Sequence, residues 1–509
     1  MSGTLAERTM SAAKWRLVAS VVQGGLQFGI GVFLARILPP ADFGVVALAL
    51  AVIGLAGAVS DLGLEAAVIQ RRDLSERHLR TAFTASVLLG LVLSGTLVLL
   101  APLSGALLRA PVLPDVLRAL ALLFVVGALG GTARALLRRR LRFRALFWTG
   151  SASFLVGYAG VVTILAFMGF GVWSLVWGSL AQAALEAVLV LGLVRPPVRP
   201  LLGRAEVREL LGFGAGVSLN NVVNYAARNG DNLVVGRWLG AAALGLYGRA
   251  YNLMTLPLTY LGAATHQVLF PAMSEIQHDR ERLGRAYLTA VQLSALAAAP
   301  VMAGMAVAAP HMVAALYGPA WTGMVLPLQC LCAAGAFRAV YHVAGAVTYA
   351  AGRVYAELKR QVAYAALVAA GAVLGSRWGI EGVAAAVTLA IVYMYVAMAS
   401  LALGIVGRSW REFLAAQAPG LAVGVMVGAA ALCVRVGMEM EGFGSGATFA
   451  AVLAACAASL PAAVYLLPAR LRPAALFALL GPAVLRLPRP LQGAMSRVLR
   501  LTPAAPVVP

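Results

Sequence analysis

Five of the chain's six asparagines fall in one stretch, GFGAGVSLNNVVNYAARNGDNLVVGRWL, at Asn220, Asn221, Asn224, Asn229 and Asn232. Arg228 and Asp231 stand among them. At helical spacing, Asn221, Asn224, Arg228 and Asp231 share a sector of about 80°. Amides on such a stripe can hydrogen-bond a sugar, and a guanidinium can bind an anion. Arg228 and Asp231, spaced i to i+3, could also simply pair, which leaves the asparagines unexplained. A second run, FRAVYHVAGAVTY, sets Arg338 and His342 one turn apart, with no acidic residue within a turn of Arg338. The planar fork of arginine can hold two phosphate oxygens at once. A third pair, Asp61 and Glu65, is also one turn apart. These carboxylates could relay a proton or a cation, or brace the arginines of the loop that follows; the two readings stand level. Glu186 and His266 are isolated polar residues within apolar runs and receive no role.

These groups must be carried by helices in a lipid environment. The 509-residue chain is 61% hydrophobic and 12% charged, with a mean hydropathy of +0.87, whereas soluble domains have roughly a quarter of their residues charged. About fourteen apolar runs, from 15–38 to 446–467, are long enough for a bilayer core of roughly 30 Å. A net charge of +21 would suit nucleic acid only if gathered on one soluble face. Here the cations sit in short connections instead. With the N-terminus inside, 31 of the 40 Lys and Arg residues fall in inner segments, 7 in outer ones, and Arg228 and Arg338 within spans. That asymmetry predicts an even number of spans with both termini cytoplasmic. A polar stripe inside a span must face a bundle interior or a wet cavity, because ionisable groups are costly against lipid.

Several functions are disfavoured. No segment reads as a phosphate-cradling G-x-x-x-x-G-K-[ST] loop, and no outer loop is long enough for a catalytic domain, so neither an ATP-driven pump nor an enzyme is expected. No cofactor or metal is expected either. Cys330, Cys332, Cys433 and Cys456 lie in apolar runs and read as packing residues. No cleavable signal peptide is evident. The proline- and arginine-rich tail after Leu467 is too broken to span, and an inner-leaflet helix or disorder describes it equally well.

The chain also repeats itself at an offset of 201 residues. Arg36 falls on Arg237, Leu38 on Leu239 and Gly44 on Gly245, each group joining two spans by a short outer turn. The same offset carries Ser20, Gln23 and Gln27 onto Asn221, Asn224 and Arg228. Two six-span repeats in parallel orientation are a recurrent transporter plan. Ser20, Gln23 and Gln27 therefore join Asn220, Asn221, Asn224, Arg228, Asp231, Arg338 and His342 as candidate substrate ligands, with Asp61 and Glu65 as coupling-ion candidates.

Three segments carry a family resemblance: ARILPPADFGVVALALAVIGLAGAVSDLGLEAAVIQRRDLSERHLRTAF at 35–83, RNGDNLVVGRWLGAAALGLYGRAYNLMTLP at 228–257, and FPAMSEIQHDRERLGRAY at 270–287. In these the sequence resembles the polysaccharide-export flippases of the O-antigen, colanic-acid and succinoglycan exporter type, within the multidrug/oligosaccharidyl-lipid/polysaccharide superfamily. The resemblance implies an all-α integral membrane fold of about fourteen transmembrane helices. These would form an N-terminal six-helix bundle (1–202), a C-terminal one (203–410), two additional helices (411–467) and a basic cytoplasmic tail (468–509). It implies alternating access, a bacterial cytoplasmic membrane, and an undecaprenyl-pyrophosphate-linked oligosaccharide as cargo. Beside that glycan and the membrane lipids, a polysaccharide polymerase and export machinery are further candidate partners; nucleic acid is not. A cation-coupled small-molecule exporter of the multidrug branch is the alternative.

Overall fold

The computed structural model describes residues 22–60, 64–71, 73–197, 199–203, 206, 225 and 229–468. Ser20, Asp61, Asn220, Asn221, Asn224 and Arg228 lie outside the described residues, as does the tail from 469. Every regular element among the described residues is helical. The helices are α1 (Val22–Ala35), α2 (Pro40–Ser60), α3 (Leu64–Gln70), α4 (Glu76–Leu108), α5 (Leu113–Leu120), α6 (Leu122–Arg139), α7 (Phe143–Ala152), α8 (Val161–Phe167) and α9 (Val172–Val194). They continue with α10 (229–239), α11 (Ala241–Glu275), α12 (Arg280–Leu316), α13 (Val325–Ala350), α14 (Val354–Gly375), α15 (Gly379–Val406), α16 (Trp410–Met440) and α17 (Ser445–Leu466). A π-helical stretch, Ser153–Gly160, joins α7 to α8.

Ten helical segments among the described residues are long and apolar enough to cross a membrane, so the chain is a multi-pass membrane protein. Leu99 on α4 is 80% exposed and Val425 on α16 is 72% exposed, which suits lipid and not water. Several helices outlast their apolar cores. Arg280, Arg282 and Arg285 lie in the first turns of α12, Arg360 in α14 and Arg138 in α6, where hydropathy alone places loops. Three helices, α4, α12 and α16, begin with side-chain caps. Ser75 and Ser409 form capping boxes with His78 and Glu412, and the Asp279 carboxylate accepts from the Glu281 and Arg282 backbone N–H groups at 3.1 and 2.9 Å. Such caps satisfy the first free N–H groups of a helix.

The helices gather into two compact units, one of residues 1–248 with 372–383, the other of 249–371 with 384–509. In the first, α3 packs on α4 and α6 through Leu64, Val68, Ala82, Ala135 and Leu136. The π-helical stretch lies against α9 so closely that a Cβ on Gly157 would fall 2.7 Å from Gln182 Cα. In this unit the two turns aligned by the 201-residue offset meet. A Cβ on Gly44 would fall 1.7 Å from the Ala241 carbonyl oxygen, and one on Gly245 would fall 1.9 Å from that of Pro40. Pro40 and Ala241 are themselves 201 residues apart, so the contact is reciprocal, as a two-fold relation between repeats requires.

In the second unit α12 is the centre, with α13, α16 and α17 around it. Leu296 of α12 meets Val423 and Val427 of α16 and Ala463 and Val464 of α17. Gly420, Gly424 and Gly428 of α16 face Ala295, Ala299 and Ala303 of α12; a Cβ on Gly420 would fall 2.4 Å from the Ala295 carbonyl carbon. Small residues at four-residue intervals let two membrane helices approach backbone to backbone. All four cysteines are free thiols, and Cys456 packs its sulfur over Gly304.

Candidate functional site

The described part of the asparagine stretch is α10, whose carboxylate is deeply buried: Asp231 is 3% exposed. Buried carboxylates need donors. The Tyr247 hydroxyl, itself fully buried at the start of α11, donates to Asp231 Oδ2 at 2.7 Å. The Asn232 backbone N–H donates to Oδ1 at 2.9 Å. Asn229 donates its amide to the Tyr225 carbonyl at 3.1 Å, and the Asn232 amide reaches Asn229 Oδ1 at 3.5 Å. These asparagines brace the backbone of the stripe. Of the first-repeat counterparts, Gln23 lies partly buried with its amide beside Gly150, and Gln27 is exposed.

Arg338 and His342 sit in the middle of α13, one turn apart as the spacing requires. Arg338 is partly buried. Its Nη1 donates to the Tyr251 hydroxyl at 2.5 Å, and its guanidinium carbon stands 5.6 Å from the centre of the Tyr251 ring. The phenol serves as both acceptor and π face. Among the described residues no carboxylate lies within ion-pair distance of this arginine. A phenol solvates the cation without neutralising it, so the charge stays available to an anion. His342 stacks at a tilt on Tyr341, with ring centres 4.6 Å apart.

Glu65 has a different setting. At the start of α3 it accepts from Arg138 at 2.9 Å and from Arg134 at 3.5 Å, both on α6. Two of its braces are thus arginines of a helix distant in sequence. Glu186 of α9 is not isolated either: it lies 3.9 Å from Arg134. Arg134 also donates to the Gly127 carbonyl at 2.9 Å. Gly131 makes the room, since a Cβ there would fall 3.2 Å from Glu65 Oε1. Arg139 donates to the carbonyls of Val68 and Ile69 at 2.8 and 3.2 Å, and to that of Arg71. A three-helix charge network therefore ties α3, α6 and α9 together. Arg435, placed in an outer loop by hydropathy, lies within α16 and pairs with Glu439 at 3.1 Å; His311 of α12 joins the same carboxylate at 2.7 Å.

Sequence reasoning missed Tyr247, Tyr251, Arg134 and Arg138. The tyrosines carried a signal: two hydroxyl-bearing rings four residues apart in an apolar run imply polar partners for both. The arginines carried none, because their partner lies about seventy residues upstream.

Residues 33–326 match the family described as polysaccharide biosynthesis protein. The chain is 30% identical over 420 residues to lipopolysaccharide biosynthesis protein WzxC of Escherichia coli (strain K12), which covers 81% of this chain and 84% of that one. It is 30% identical over 308 residues to succinoglycan biosynthesis transport protein ExoT of Rhizobium meliloti (strain 1021), covering 60% and 62% of the two. Among solved structures, lipid II flippase MurJ in an inward closed conformation has a TM-score of 0.68 at 12% identity, covering 89% of this chain and 98% of that one. That likeness is one of fold.

Proposed function

The chain belongs to the polysaccharide biosynthesis protein family, and we infer that it is a flippase that carries a lipid-linked oligosaccharide across a bacterial cytoplasmic membrane for assembly of an exported polysaccharide. Relatives named for lipopolysaccharide biosynthesis and succinoglycan transport support this reading. The observation that carries it is Arg338: a guanidinium in the middle of a membrane helix, held by a neutral phenol. A multidrug-type exporter of organic cations would want a carboxylate there. A pyrophosphate-linked cargo wants a cation.

In the full reading, fourteen spans leave both termini cytoplasmic, and residues 1–202 and 203–410 rock about the cargo by alternating access. Arg228 and Arg338 share the pyrophosphate, while Asn220, Asn221, Asn224, Asp231, His342, Ser20, Gln23 and Gln27 meet the sugars. The undecaprenyl tail stays in the bilayer. Asp61 is the coupling candidate, and Glu65, engaged by two arginines, braces α3 against α6.

Complementation tests the function. Expression in a flippase-null strain should restore export and clear the accumulated lipid-linked repeat units. A strain that keeps accumulating them, with the protein inserted and stable, would sink the proposal. Reporter fusions after Arg144, Arg208 and Gly352 should all report an inside location; an outside signal at Arg208 would break the two-repeat topology.

A further inference from the structure

We propose that the turn between α6 and α7 is a binding site for the headgroup of an anionic phospholipid, with Arg140, Arg142 and Arg144 as phosphate ligands and Leu141 and Trp148 as apolar anchors. The local sequence is one-sided in charge. No acidic residue occurs between Asp115 and Glu186, a stretch that holds seven arginines. Among the described residues, Glu65 and Glu186 reach this end from elsewhere and are engaged by Arg134 and Arg138, and Arg139 is turned inward onto the backbone carbonyls of Val68 and Ile69. Arg140, Arg142 and Arg144 are exposed, and neither Arg140 nor Arg142 enters an ion pair among the described residues. An anion from outside the chain can neutralise them.

The apolar residues say which anion. The backbone N–H of Arg142 closes onto the Leu137 carbonyl at 2.9 Å, ending α6 in a turn whose left-handed position normally takes glycine. Here Leu141 occupies it, at φ 54°, with its side chain 40% exposed. A leucine strained at that position still leaves 40% of its surface outside the core; acyl chains beside the headgroup would cover it. Trp148 follows Arg144 by one turn on α7, hence on the same face, and is 57% exposed. Tryptophan favours the headgroup level of a bilayer. The positive-inside tendency accounts for arginines at this end, but it asks for no leucine or tryptophan among them.

The test compares the purified full chain in nanodiscs of neutral phosphatidylcholine with and without phosphatidylglycerol, counting retained phosphatidylglycerol by native mass spectrometry. The wild type should retain it selectively. Replacing Arg140 and Arg142 with glutamine should weaken retention by about fivefold per arginine. Replacing Arg109 and Arg377, exposed arginines elsewhere, removes the same charge and should leave retention unchanged. Leu141→Gly relieves the left-handed strain, so it should raise thermal stability yet lower retention. Equal losses in both arginine pairs, no phosphatidylglycerol preference in the wild type, or a stabilised Leu141→Gly protein with full retention would each overturn the site.

Discussion

Two regions of the molecule handle helix-borne arginine in opposite ways. In the α3–α6–α9 network, Arg134 is shared between Glu65 and Glu186 at 3.5 and 3.9 Å, and Arg138 lies 2.9 Å from Glu65. On α13, Arg338 instead rests on the hydroxyl and ring of Tyr251. The first arrangement spends its charge internally and ties helices together. The second keeps its charge and leaves most of the guanidinium's five donors for something else. A membrane span tolerates an unneutralised cation poorly, so the second arrangement costs stability and is expected where a visiting anion offsets that cost.

The contrast can be broken by removing one arginine of each kind. Arg134→Ala should have the largest effect, and on stability: it strands Glu186 and half of the Glu65 pairing, with an expected loss of about 3 kcal/mol. Thermal unfolding in detergent should show it, while export per folded molecule stays near normal. Arg338→Ala should behave in reverse, leaving unfolding temperature unchanged or raised. It should cut cargo affinity by roughly ten- to a hundredfold, the worth of about 1.5–3 kcal/mol for a charge-assisted contact. Arg338→Lys should restore only part of this, since an ammonium lacks the fork. Accumulated lipid-linked glycan measures both variants. If Arg338→Ala folds, inserts and exports at the normal rate, the anion site lies elsewhere.

Smaller changes sharpen the same comparison. Glu65→Gln should cost about 1 kcal/mol of stability without lowering export per folded molecule; a stable variant with lost export would return Glu65 to a coupling role. Tyr251→Phe keeps the ring and drops the hydroxyl, so it should weaken cargo binding by about fivefold, near 1 kcal/mol. Arg109→Ala, in an exposed turn, should stay within about 0.5 kcal/mol of wild type in both assays.

Hydropathy was enough to show a chain that crosses the membrane many times, because a run of apolar residues long enough to cross a bilayer has few alternatives. It was not enough to find the ends of the spans. The expected span 361–376 is the helix Val354–Gly375, and 287–309 is Arg280–Leu316, because backbone hydrogen bonding, with the Asp279 cap in the second case, carries a helix past its apolar core. The repeat was legible in Arg36, Gly44, Arg237 and Gly245, but not the reason for its glycines, which is the reciprocal backbone contact with Ala241 and Pro40. Arg338 could be singled out as a buried cation from one helix alone. Its phenolic partner, and the carboxylates on Arg134, depend on which helices pack together, and a single sequence states that only weakly.

The glycine face of α16 bears on how the chain is made. Gly420, Gly424 and Gly428 lie on Ala295, Ala299 and Ala303, a seam of small apolar groups on both sides. In water, peeling such a helix away would leave a greasy scar. In a bilayer the scar is covered by acyl chains at little cost, because lipid tails are as apolar as the helix they replace. The seam is therefore held by close fit and not by exclusion of solvent. α16 can thus sit in the bilayer as a stable span before it docks on α12.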